Sequence, residues 1–170
     1  LVMVSQMNAQ KFFTRNGHLG FFSKTDMEDI KADNENVTYI MDLTSGEINI
    51  SALQTNFQFE KALMQEHFNE NYMESETYPK ATLKAKIEGV KDWKKPATYK
   101  GGIKGQMEIH GVTKDISIPV TITVNKDGSV LIESEFNIRT ADYGIEIPTL
   151  VVSKVAEVVK VTVKSTLKGA

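Results

Sequence analysis

The sequence predicts an all-β fold, an eight-stranded antiparallel barrel with one short helix near an open end. Three observations point to it. Apolar and polar residues alternate through most of the chain after residue 80, the two-residue period of strands whose successive side chains face opposite ways. The alternating runs are joined by short turn-forming sequences such as His110-Gly111 and Asn125-Lys126-Asp127-Gly128. Only residues 59–68 carry helical spacing.

In chain order, residues 11–15 and 17–24 read as two short strands split by Asn16-Gly17, with Leu19 and Phe21 inward in the second. Residues 26–36 are acidic and polar and suit an outer strand or a loop. Residues 37–43 and 47–53 form a hairpin around Ser45-Gly46, with Ile48, Ile50 and Ala52 on one face. Between residues 59 and 68, Phe59 and Leu63, then Met64 and Phe68, stand at i, i+4 among the helix formers Glu60, Lys61, Ala62 and Gln65. Tyr78-Pro79 stops the helix, because the residue before proline is pushed towards extended backbone.

The second half is more regular. Ala81, Leu83, Ala85 and Ile87 alternate with Lys80, Thr82, Lys84, Lys86 and Glu88. Ile103, Gly105, Met107 and Ile109 follow, and His110-Gly111 reverses the chain. Ile116, Ile118, Val120, Ile122 and Val124 form the returning strand, and Val130, Ile132, Ser134, Phe136 and Ile138 the next. Val159, Val161, Val163, Ser165 and Leu167 share one face of the last. Short connections between successive strands imply a meander. About eight such strands can stack as a sandwich or close into a barrel whose interior holds side chains or one small ligand, and the barrel is preferred. Pro119, inside a strand and lacking a ladder donor, predicts a bulge or seam.

Composition excludes several function classes. The 170 residues suit one domain, and 41% hydrophobic against 25% charged residues is a globular balance. A net charge of −2 with basic residues scattered singly argues against nucleic acid. The absence of Cys excludes thiol nucleophiles, zinc thiolate sites and disulfides. Residues 1–9 resemble the end of an apolar export signal with cleavage after Ala9, leaving residues 10–170 as a single barrel domain. That predicts an exported protein without stable membrane insertion, acting as monomer or homodimer.

Candidate chemistry is sparse. His18, His67 and His110 read as a strand-start, a helix-surface and a turn residue, and none has metal-ligand spacing. No Ser/His/Asp order, phosphate loop or dinucleotide glycine pattern is present, so no enzyme is expected. Phe59, Leu63, Met64 and Phe68 either face a cavity or plug the barrel end. Arg139, Asp142 and Tyr143 form the densest polar group beside an apolar strand end. There Arg139 could meet a phosphate or quinone oxygen, or pair with Asp142 to fix the turn.

Three stretches carry a family resemblance. They are Glu66-His67-Phe68 through Tyr78-Pro79-Lys80-Ala81-Thr82, Ile109-His110-Gly111-Val112-Thr113-Lys114, and residues 136–144. In order and spacing they resemble the YceI-like family of exported, lipocalin-like, polyisoprenoid-binding proteins over about residues 10–168. The sequence departs from many members at residues 25–36, where a more basic hairpin is common. It departs again at Tyr143-Gly144-Ile145, where an aromatic pair is often seen. The resemblance implies a periplasmic barrel whose apolar tunnel holds an isoprenoid or quinone-like lipid, with no cofactor and no catalytic residues. The expected function is non-enzymatic transport, storage or sequestration of such a lipid; the alternative is an interaction or structural barrel filled by its own side chains. Expected tunnel walls are Leu19, Phe21, Ile50, Leu83, Ile103, Met107, Ile118, Val120, Ile132, Phe136, Val161 and Val163. The helix face Phe59, Leu63, Met64 and Phe68 marks one opening, and Arg139 and Tyr143 lie beside a strand end.

Overall fold

The alternating runs fold into nine strands in a computed structural model that describes residues 10–147 and 155–170; the expected export remnant at residues 1–9 lies outside the described residues. The strands are β1 (Lys11–Lys24), β2 (Asp29–Asp42), β3 (Glu47–Leu53), β4 (Gln58–Phe59), β5 (Lys80–Glu88), β6 (Ala97–Ile109), β7 (Val112–Val124), β8 (Val130–Arg139) and β9 (Val158–Gly169). Helix α1 (Ala62–His67) is the single α-helix among the described residues. The sheet order is β1-β9-β8-β7-β6-β5-β3-β2, and β2 pairs back onto β1, closing an eight-stranded antiparallel barrel. The two-residue β4 only sets Phe59 opposite Ala32 and Gln58 opposite Asp33.

Two expectations in the first half are corrected, the break at Asn16-Gly17 and the strand start at His18. Asn16-Gly17 does not break the chain into two strands: β1 runs through it, with register shifts on β2 between Thr14 and Gly17 and between Gly17 and Leu19. Pairing on both edges of β1 outweighs the local turn tendency. Gly17 is required because a Cβ there would collide with the Tyr39 ring. The Tyr39 hydroxyl donates to the His18 carbonyl at 2.6 Å, and the His18 N–H donates to Ser165 Oγ at 2.9 Å. His18 therefore sits mid-strand rather than at a strand start. The acidic stretch resolves as strand, since β2 begins at Asp29 and turns Ile30, Ala32 and Asn34 inward. Small Ala32 and polar Asn34 hid that alternation.

The expected helix is shorter, covering Ala62–His67 and passing into a π-helical turn at Phe68–Tyr72. Phe59 is extended instead, its N–H bonded to Gln65 Oε1 at 3.2 Å. The seam expected at Pro119 is present. β6 and β7 pair along their lengths, but β7 and β8 pair only through residues 121–124 and 130–133. Beyond that point Ser134 Oγ donates to the Pro119 carbonyl at 2.5 Å, on the side where proline has no N–H to offer β8.

The two ends of the barrel differ. The connections 43–46, 89–96 and 125–129 lie at the lower end, while residues 54–79, 140–147 and 155–157 lie at the upper end. In the lower half Val37, Tyr39, Met41, Ile48, Ile122, Ile132 and Leu167 have essentially no exposure and meet across the interior. Burial pushes the Tyr39 phenol pKa up, so this side chain stays neutral.

At the upper end His110 ties three segments together. Its Nδ1 donates to the Tyr143 carbonyl at 3.1 Å, and its Nε2 lies 2.6 Å from Glu74 Oε2. The Tyr78 ring packs against it edge-on with centroids 4.7 Å apart. The turn demands left-handed backbone at His110 (φ 54°) and Gly111 (φ 72°), as a two-residue hairpin should.

Two outcomes follow from this packing. Ile132→Ala removes a fully buried wall from the lower half and is expected to lower unfolding free energy by about 2–5 kcal/mol in urea denaturation. His110→Asn keeps a residue that tolerates the left-handed turn but loses the ring contacts. It is expected to cost about 1–3 kcal/mol and to speed amide exchange at residues 73–75 and 143–145 more than in β8 or β9.

Candidate functional site

The upper half of the barrel encloses a cavity of about 170 Å³. Its side walls come from inward positions of the strands, among them Ile50 of β3, Leu83 of β5, Ile103 and Met107 of β6, Ile118 of β7, Phe136 of β8, and Val161 and Val163 of β9. These side chains are inward for the same reason as those of the lower half. They leave space because the segments closing the upper end bridge over the strand ends instead of filling the interior.

One side of the roof is aromatic. Phe21 of β1 lies 5.2 Å from Phe57, 5.4 Å from Phe68 and 5.8 Å from Phe59, and Phe59 lies 5.0 Å from Phe68 (ring centroids). Stacked, tilted and edge-on rings at these separations form a cohesive cluster worth more than its buried area alone. Met64, Tyr72 and Met73 extend it from α1 and the following turn. Burial raises the pKa of the Tyr72 phenol.

Thirteen of the residues expected from the sequence line this cavity: Leu19, Phe21, Ile50, Phe59, Met64, Phe68, Leu83, Ile103, Met107, Ile118, Phe136, Val161 and Val163. Five do not. Leu63 is 62% exposed, because with Phe59 extended the i, i+4 pairing of the two is lost and the short helix turns Met64 inward instead. Ile132 belongs to the close-packed lower half, and Val120 is buried at the seam beside Pro119. Arg139 follows inward Ile138 and so points out, and among the described residues no ion pair joins it to Asp142. Tyr143 is buried in the core beside His110 rather than in the cavity wall, and burial raises its pKa.

The sequence reading missed several wall residues. Ile138 and Val159 continue the alternation of their strands and were within its reach. Ile30 lay in the stretch left open between strand and loop. Gln54, Phe57, Tyr72, Met73, Thr140 and Ile145 sit in segments without periodicity, where nothing signals direction.

The chemistry available is that of an apolar container. Among the described residues no group of three or more His, Asp or Glu side chains is arranged to hold a metal ion. His18 bonds Asp33 at 2.8 Å on β2, and His110 bonds Glu74 at 2.6 Å, so these two histidines serve separate local contacts. Among the described residues no helix is long and apolar enough to cross a membrane.

The same architecture occurs in solved structures. A polyisoprenoid binding domain from Saccharophagus degradans aligns with TM-score 0.82 at 15% identity, covering 95% of this chain and 99% of that one. BcnA from Burkholderia cenocepacia aligns with TM-score 0.73 at 15% identity, over 89% and 96% of the two chains. The YCEI protein of Campylobacter jejuni aligns with TM-score 0.63 at 17% identity, over 82% and 84%. At these identities the likeness speaks for the fold. No match is found among curated proteins. The model of the YceI-like domain matches residues 4–167, nearly the whole sequence, and the chain belongs to the YceI-like domain family.

Proposed function

We propose that the barrel binds, without catalysis, the hydrocarbon tail of an isoprenoid or related amphiphilic lipid such as a quinone, in transport, storage or sequestration. The observation that carries this is the contrast within one barrel: a close-packed lower half beneath an upper half whose inward residues surround a cavity with aliphatic and aromatic walls. A tail placed there is stabilised by about 25 cal/mol per Å² of apolar surface removed from water, or about 0.8 kcal/mol per methylene. The lower half forms a floor, so the tail enters from the upper end. The polyisoprenoid binding domain of Saccharophagus degradans, with the same fold, supports this choice of ligand. A periplasmic setting, with the protein as monomer or homodimer, is part of the same proposal.

The self-filled barrel remains the competing reading because the lower half is filled in that way. Organic extraction of untreated protein followed by mass spectrometry separates the two. An isoprenoid or related lipid is expected in the extract, and apo protein is expected to take up added isoprenoid. Ala81→Trp, which places an indole against the cavity, is expected to weaken uptake by about tenfold or more while unfolding stays cooperative. An extract free of lipid together with no uptake by the unaltered protein sinks the proposal.

A further inference from the structure

Among the described residues two that are not glycine hold positive φ, Glu74 at 48° and His110 at 54°, and they are bonded to each other. Glu74 leaves the π-helical turn Phe68–Tyr72 in the left-handed conformation that favours glycine at such a place. His110 stands at the hairpin position that favours asparagine or glycine. Each position therefore carries a large side chain where the backbone would be less strained without one. Both side chains go into one contact, His110 Nε2 to Glu74 Oε2 at 2.6 Å.

The His110 ring faces acceptors through both nitrogens. Nδ1 lies 3.1 Å from the Tyr143 carbonyl, which can only accept, and Nε2 meets a carboxylate. Both bonds form together only when each nitrogen carries a proton, in the imidazolium. Glu74 is the one carboxylate within ion-pair distance of His110 among the described residues, and residues 1–9 and 148–154 contain no Asp or Glu. The other titratable groups packed on the ring are the Tyr78 phenol, edge-on to it, and Tyr143 through its backbone, with Asp142 next to it in sequence. The His110 side chain is 12% exposed and that of Glu74 53%, so the pair is in reach of solvent protons while the ring stays packed.

The contact joins two parts of the cavity roof. Tyr72 and Met73, just before Glu74, line the cavity, and so do Thr140 and Ile145 on either side of Tyr143. We propose that Glu74 and His110 form a pH-sensitive latch, which holds these two parts of the roof together while His110 is the imidazolium and lets them separate as rising pH removes one of its protons. A neutral ring with its proton on Nδ1 keeps the Tyr143 carbonyl but turns a lone pair towards Glu74. With the proton on Nε2 it keeps Glu74 but turns a lone pair towards the carbonyl. Either way one acceptor faces another and one bond is lost. The latch stands on this geometry alone; its consequence, faster exchange of a bound tail at higher pH, rests on the lipid-binding reading.

Amide hydrogen exchange tests it, read as protection factors so that the intrinsic pH dependence of exchange cancels. Between about pH 5.5 and about pH 8.5, a range that spans the ordinary titration of imidazole, protection of the hydrogen-bonded amides of Met73, Ser75, Gly144 and Ile145 is expected to fall roughly tenfold. Protection in β9 is expected to hold within about twofold. Glu74→Gln keeps both bonds in either state of the ring, because its amide accepts from the imidazolium and donates to Nε2 of the neutral form. Its roof protection is expected to stay level over the same range. His18 and His67 are common to both proteins, so the difference between them belongs to the latch. Glu74→Gly relieves the left-handed backbone and removes the carboxylate, and is expected to lower roof protection at both pH values. Release of farnesol from loaded protein is expected to quicken roughly tenfold across the range in the unaltered protein and to stay level in Glu74→Gln. Roof protection that does not fall with pH, or that falls equally in Glu74→Gln, overturns the latch. Farnesol release that ignores a loosened roof overturns its gating consequence. Failure of farnesol to bind counts against the lipid-binding reading, and the exchange data then decide the latch.

Discussion

Closure of the sheet on β1 is the constraint on which the other features depend. β1 pairs with β2 on one edge and β9 on the other, so the ring closes there, and the edges of neighbouring strands stay unpaired with each other along the β7–β8 seam. The joint is built around Gly17. The Tyr39 ring fills the place of a side chain there, the Tyr39 hydroxyl holds the His18 carbonyl, and Ser165 of β9 holds the His18 N–H. All three strands at the closure are thereby fixed by one small cluster, which sits with the close-packed side chains rather than with the cavity.

Given closure, the interior is divided by what stands at each end. In the lower half inward side chains from opposite walls meet. At the upper end the residues 54–79 and the segment beginning at Thr140 span the opening, joined through His110 to Glu74 and the Tyr143 carbonyl. The aromatic cluster around Phe21 then forms a roof over aliphatic walls. A container results from ordinary core residues because the roof bridges the space without filling it.

The sequence alone determined the strands of the second half, their inward faces and the turns at His110-Gly111 and Asn125–Gly128, because a two-residue period with Gly in the turns admits few other structures. It also located the seam at Pro119, since the missing N–H is a local property. Most of the strand walls of the cavity were legible for the same reason. Only the tertiary structure decided what depended on distant partners. β1 runs through Asn16-Gly17 because two neighbouring strands pair with it, and β2 begins at Asp29 because Ala32 and Asn34 face an interior that their own chemistry does not announce. Alternation marks which side chains point inward but not whether they touch across the barrel, so the split into floor and cavity, the outward turn of Leu63, and the place of Gln54 in the wall emerged only from packing.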